Sequence, residues 1–342
     1  AFGIRRGPVE TSAYMAALAE TGQTLKALQV AQRVLEKARA GSDLGELLAA
    51  QEILAREHRR QTNFEQALHG FKDALDLVRQ LGDRPRELAI LHEIAALQVQ
   101  RRQLDKAAMT LRDAVAVSQS ARERATSLRA LAEVQVESEQ YEDAACSAAS
   151  AQLNFHEDGD PRGESAAMMI ACDSRRKAGD SAAALAAARL AFELAFVGGH
   201  LEQAAIAQKA ISELLVARDL LEQALQAIGE AIKLYREVGD ATGLAESLCA
   251  ASGLYLRRGA LQDALAVAEQ ALELAAGVGD LAGEAKANVM LARVQAKFFE
   301  KEDKSSDACL QSPTLASMRA SAQAAAAIAA QSRDRQLQAV AS

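Results

Sequence analysis

The chain has 342 residues, of which 78 are Ala, only 4 are Pro and none is Trp. Half of the residues are apolar and the net charge is only −7, which excludes disorder for most of the length and argues against a nucleic-acid binder that works by positive charge. No strongly apolar run reaches the roughly 20 residues that a membrane-spanning helix needs.

So much Ala with so little Pro predicts an almost entirely helical chain, because Ala is the best helix former and its small side chain lets helices pack closely. Cys146, Cys172, Cys249 and Cys309 lie at least 26 residues apart. That spacing fits isolated reduced thiols better than a disulfide framework or a zinc site. The first residue is Ala, the mark of a processed chain or a fragment, and the opening Ala1–Gly7 has no apolar core of signal-peptide length. Residues 1–8, with the Arg5-Arg6 pair, read as a tail.

From residue 9 the chain repeats. Gly-Asp recurs at Gly82-Asp83, Gly159-Asp160, Gly239-Asp240 and Gly279-Asp280, with Gly199-His200 as a variant. Gly supplies the left-handed residue that ends one helix, and Asp caps the start of the next. Pro85 and Pro161 follow where a first helical turn tolerates a missing N–H. A second register runs through Ala27, Ala67, Ala107, Ala144, Ala184, Ala224 and Ala264, in steps of 40, 40, 37, 40, 40 and 40. The short step falls at Ser118-Gln119-Ser120-Ala121, the one junction without Gly. Small residues recur seven positions after the register Ala, at Ala74, Ala114, Ala151, Ala191, Ala231 and Ala271, and place a close-packing stripe on one helix face.

Each unit is thus a pair of helices, A and B. Leu54-Ala55, Ile94-Ala95, Leu131-Ala132, Ala171-Cys172, Ile211-Ser212 and Ala251-Ser252 stand twelve residues before the register Ala, with Tyr255 as an aromatic on helix A and Gly22, Gly179 and Gly259 at the A–B turn. These residues resemble the tetratricopeptide repeat over roughly residues 9–300. That family's usual repeat is about 34 residues long. The longer step here is similar to Pins-type spindle-orientation adaptors, rapsyn and, more loosely, kinesin light chains. The resemblance implies an all-α, right-handed α-solenoid of about seven stacked hairpins plus one further helix, Leu281 to Phe299, with the A helices lining a concave groove.

A charged segment, Lys301 to Asp307, breaks the period, so 301–312 reads as a linker. Ser312-Pro313 then opens an Ala-rich helix over 313–340 carrying Leu315, Met318, Ile328, Leu337 and Val340. It is read as a cap on the open end of the solenoid, as a docking helix in the groove or on a partner, or as a frayed tail.

No phosphate loop, HExxH pair, nucleophile elbow or Cys–His grouping is present, so no catalytic residue, cofactor or metal is expected and the chain reads as non-enzymatic. By analogy with the family, groove positions fall three before, one after and four after the small helix-A residue. These are Glu52, Arg56, Arg59, His92, Arg129, Glu133, Val136, Met169, Asp173, Arg176, Lys209, Glu213, Val216, Cys249, Gly253, Leu256, Val289 and Arg293. With Arg60, the first unit presents a basic cluster whose guanidinium forks suit an acidic peptide. The competing reading is a solvated or internally paired surface. The family's chaperone-tail clamp needs Lys and Asn at set groove positions, and Asn63, Asn154 and Asn288 do not reproduce it. Hsp70 or Hsp90 tails are therefore not expected. Cys172 and Ser212 read as packing residues, and Phe64, Phe71, Phe192, Phe196, Tyr235 and Phe298 as core. The expected function is an adaptor that binds a peptide or helix of a protein partner, with a structural subunit of a larger complex as the alternative.

Overall fold

In a computed structural model of the chain, the described residues are 29–36 and 44–302, together with positions 323 and 327. The tail, most of the first hairpin, the rest of the linker and the C-terminal helix lie outside them. The chain divides into two compact units, residues 1–163 and 164–342, each an all-α solenoid of stacked hairpins. In the first unit a helical segment over 29–36 precedes α1 (Leu44–Arg60), α2 (Phe64–Leu81), α3 (Arg84–Gln100), α4 (Leu104–Val117), α5 (Ala121–Glu137) and α6 (Tyr141–Asp158). The unit boundary falls in the first turn of α7 (Pro161–Lys177). The second unit continues with α8 (Ser181–Val197), α9 (Leu201–Ala217), α10 (Leu221–Val238), α11 (Ala241–Arg258), α12 (Leu261–Val278) and α13 (Leu281–Glu302). The last helix runs three residues beyond its expected end, Phe299.

The Gly-Asp punctuation works as read. Gly82, Gly159, Gly199, Gly239 and Gly279 all have φ between 69° and 79°, which an L side chain adopts only at a steric cost. Asp83, Asp160 and Asp240 then accept the backbone N–H three residues on, the N-cap bond that satisfies an orphan donor. The Gly-less junction uses a different device. Ser118 is extended, and Ser120 with Glu123 forms a reciprocal capping box at the start of α5.

The A–B turns hold a surprise. Gly179 and Gly259 take positive φ as expected, but Thr62, Arg102, Glu139 and Asp219 hold the same left-handed position in the other turns. Each is fixed by two backbone bonds, as where Asn63 N–H reaches His58 O at 2.8 Å and Thr62 N–H reaches Arg59 O at 3.0 Å. Those bonds, repeated in every turn, outweigh the local preference.

Within a unit helices pack on their neighbours in sequence, and α11 also reaches α13. The register Ala residues and the stripe seven positions later are fully buried from Ala67 to Ala271, so backbones approach where they meet. A Cβ added to Gly70 would stand 3.0 Å from that of Ala55 on α1. Ser212 and Ser252, at the small helix-A position, are buried, and their hydroxyls donate to the carbonyls of Ala224 and Ala264 at 2.9 and 2.8 Å. Cys172 is buried as expected, and its thiol is pushed up to about 11, chiefly by burial. Phe71 and Tyr235 are core, whereas Phe64, Phe192 and Phe298 are half-buried. Phe196 departs from expectation. It is 54% exposed near the end of α8, with Val197 beside it 87% exposed, because the ring leans on Phe192 one turn back (centroids 5.5 Å apart) instead of entering the core.

Candidate interaction groove

Side chains on successive A helices meet because the repeat step returns the same helix face. In the first unit, the basic cluster on α1 is paired with carboxylates. Arg56 binds Glu52 at 3.1 Å, Arg60 binds the buried Glu57 at 3.0 Å, and Arg59 crosses to Glu93 on α3. Each of the three guanidinium groups thus has a carboxylate partner within the chain. On α3, His92 meets Ser127 of α5 through Nε2 at 2.9 Å. Burial and then the charge of Arg129 hold its pKa below 6.5, against the pull of Glu93. Arg129 itself pairs with Glu133 at 2.6 Å along the same helix.

In the second unit, Asp173 on α7 takes both Arg176 and Lys177 (2.9 Å), which lower its pKa against the effect of burial. Lys209 on α9 donates to Glu246 on α11 at 2.5 Å, and Lys286 on α13 donates to the other oxygen of the same carboxylate at 2.7 Å. Three helices are thereby laced through one acid. Glu213 is exposed on α9, with no ion-pair partner among the described residues. Leu256 is half-buried on α11, and Arg293 on α13 touches the Met290 sulfur at 3.6 Å. Cys249 sits half-buried beside Lys286, its thiol pushed up to about 11 by burial, so it is not a poised nucleophile. Asn288 is buried and donates to the Glu284 carbonyl, so it is not presented as a clamp.

Sequence reasoning missed Glu93, Glu246, Lys286 and Ile206. The last three stand six residues before the small helix-A position, one turn N-terminal to the row that was read. The row's own helical period could have found them.

Lys209 and Lys286 together hold the Glu246 carboxyl down to about 2 from an ordinary 4.5, with partial burial opposing. A carboxyl depressed in the fold contributes stability that is present above its unfolded pKa and lost as pH falls through the folded one. The advantage of the wild type over Glu246→Gln should therefore be complete above about pH 4.5 and vanish near pH 2. It should also be small, about 1 kcal/mol or less, because water screens the partly exposed site. Urea titrations of both proteins across that range read it directly. A difference that persists at pH 2 would mean that packing, not charge, is responsible.

No family model and no curated protein sequence matches the chain. Solved structures do. RapI superposes with a TM-score of 0.60 at 12% identity, covering 96% of this chain and 98% of that one. Aspartyl phosphate phosphatase F from Bacillus subtilis gives 0.53 at 12%, covering 86% and 85%. A Signal Transduction ATPase with Numerous Domains from Pyrococcus horikoshii, described as having a tetratricopeptide repeat sensor, gives 0.60 at 16%, and the match covers 98% of this chain but 51% of that one. The fold is that of the tetratricopeptide repeats. At such identities the likeness speaks for the architecture alone. Among the described residues of this tetratricopeptide-like chain, no helix is long and apolar enough to cross a membrane, and no cluster of His, Cys, Asp or Glu could hold a metal ion.

Proposed function

We propose that this protein is a non-enzymatic interaction scaffold whose A-helix faces take a peptide or helix of a partner protein. The observation that carries this reading is the groove row of the second unit. There, Ile206 (42% exposed) and Val289 (48% exposed) stand beside the Lys209–Glu246–Lys286 lacing. A wall that alternates apolar contact with fixed polar groups suits an extended segment, which supplies backbone and side-chain partners together. The lacing also orders the wall before a ligand arrives, which lowers the entropy lost on binding.

One observation favours a second reading, a subunit of a larger assembly. Phe196 and Val197 form an exposed apolar end to α8, the kind of surface that partners cover. A photo-crosslinking residue placed at Ile206 or at Val197 of the full chain, in the cells that make it, separates the two. The scaffold reading expects a discrete partner band from position 206 that fades when Glu213 is replaced by Lys. Bands from position 197 alone would favour the subunit and sink the scaffold.

A further inference from the structure

A crevice in the second unit carries charge that its own walls do not balance. It lies between α7, α9 and α11, with a volume of about 370 Å³. Met169 and Ile206 form its apolar side. Its ionisable lining is three carboxylates, Glu213, Asp240 and Glu246, against one ammonium, Lys209. Glu246 takes that ammonium and also Lys286 of α13, so these three groups leave one positive charge to set against Asp240 and Glu213. Asp240 uses one oxygen to cap α11, while Glu213 is exposed and unpaired among the described residues. Net negative charge therefore remains where the crevice opens.

A second, independent feature lies in its wall. Tyr235 of α10 is only 3% exposed and lines the crevice. Its ring is pressed on Gly243, where a Cβ would stand 2.3 Å from a ring carbon. No hydrogen bond to its hydroxyl is formed among the described residues. The hydroxyl oxygen is not sealed from solvent, so it is open to a donor that enters the crevice. Burial pushes the phenol up to about 12, and the charges of Asp240, Glu246, Glu202 and Glu213 act in the same direction. The hydroxyl therefore stays protonated at neutral pH, and the field around it favours an incoming cation.

We propose that this crevice binds a cationic side chain, Arg or Lys, from a segment of a partner protein, its aliphatic stem against Met169 and Ile206 and its charged head at Glu213 and the Tyr235 hydroxyl. Long basic side chains are built for such a site, with an apolar stem and a multiply donating end. The inference rests on the groove reading above and narrows the occupant to a basic segment. It also places recognition in the second unit, away from the paired Arg56, Arg59 and Arg60.

The test is selection of a fully randomised nonapeptide phage library on the immobilised full chain, followed by titration of the enriched peptides in solution. Enrichment of Arg or Lys at one peptide position is expected. Glu213→Gln should weaken those peptides about tenfold, the loss of one charge-assisted hydrogen bond. Tyr235→Phe, which keeps the ring on Gly243, should weaken them less. Glu273→Gln on α12 should change nothing, and unchanged melting temperatures show that each variant is folded. Enrichment of acidic or purely apolar peptides, lost with Ile206→Glu, would overturn the basic ligand while leaving the groove reading in place. No enrichment, or enrichment indifferent to every one of these substitutions, would overturn both.

Discussion

Replacing Phe71 by Ala is expected to cost the first unit about 3–5 kcal/mol, the range for removing a large aromatic from a core. The reason lies in composition. Most positions where these helices meet are Ala, which brings backbones together but buries little area per residue. Phe71 is the largest fully buried side chain among the described residues. It fills the space bounded by Leu48 and Ala55 on α1, its own neighbours Ala67, Ala74 and Val78, and Ile90, Ile94 and Leu97 on α3. The small Ala55 and the stiff, β-branched Ile90 and Ile94 that face it have little freedom to fill the gap, so the cavity should persist. Native-state hydrogen exchange localises the effect, since stacked repeats need not unfold in one step. Amides of α1 to α3 should lose protection, while Leu153→Ala, on the exposed face of α6, should stay within about 0.5 kcal/mol of wild type. Equal loss in both would mean that Phe71 is not what holds these helices together.

Gly243→Ala is expected to destabilise the second unit, although Ala is favoured over Gly in a helix by about 1 kcal/mol. The new Cβ would lie 2.3 Å from one carbon of Tyr235 and 2.6 Å from another. A rigid ring locked in a core cannot step aside cheaply, and overpacking of this kind costs about 1–3 kcal/mol beyond any helix gain. The same pair recurs at Phe155 and Gly163, where the added Cβ would lie 2.4 Å from the ring. The intervening repeat exchanges the sizes, with the buried Ala195 opposite Gln203 in the corresponding places. Two solutions to one space argue that shape, not glycine's backbone freedom, governs the position. Because Asp240 Oδ2 also stands 2.4 Å from the added Cβ, the double variant Tyr235→Ala with Gly243→Ala should lose less than the sum of the two single losses, a coupling of about 1–3 kcal/mol in a double-mutant cycle. Simple additivity of the two losses would refute the clash.

Helix boundaries were legible because glycine and aspartate mark them at a regular interval and the register Ala residues confirm it. What resisted reading has physical causes. Thr62 and Asp219 take a left-handed conformation that their own side chains disfavour, and only the bonds of the surrounding turn make it worthwhile. Phe196 sits where the two neighbouring repeats carry the exposed His156 and Arg236, so its exposure follows from its place on the helix and not from its hydrophobicity. The row read from the sequence includes Lys209 but not Glu246 and Lys286, which meet it across the A helices. Whether Glu246 meets Lys209, Lys286 or neither depends on how far one A helix is shifted along the next, a quantity that a linear pattern does not encode.

In both units packing joins a helix to its neighbour in sequence or, between A helices, to the next but one, so stabilising contacts reach about one repeat along the chain. Such a chain need not wait for its far end before it can fold. As the polypeptide leaves the ribosome, each hairpin can settle on the one before it, and the newest face is always the one still missing its neighbour. The sticky surface offered to other molecules during synthesis is then a single repeat wide, however long the finished array becomes.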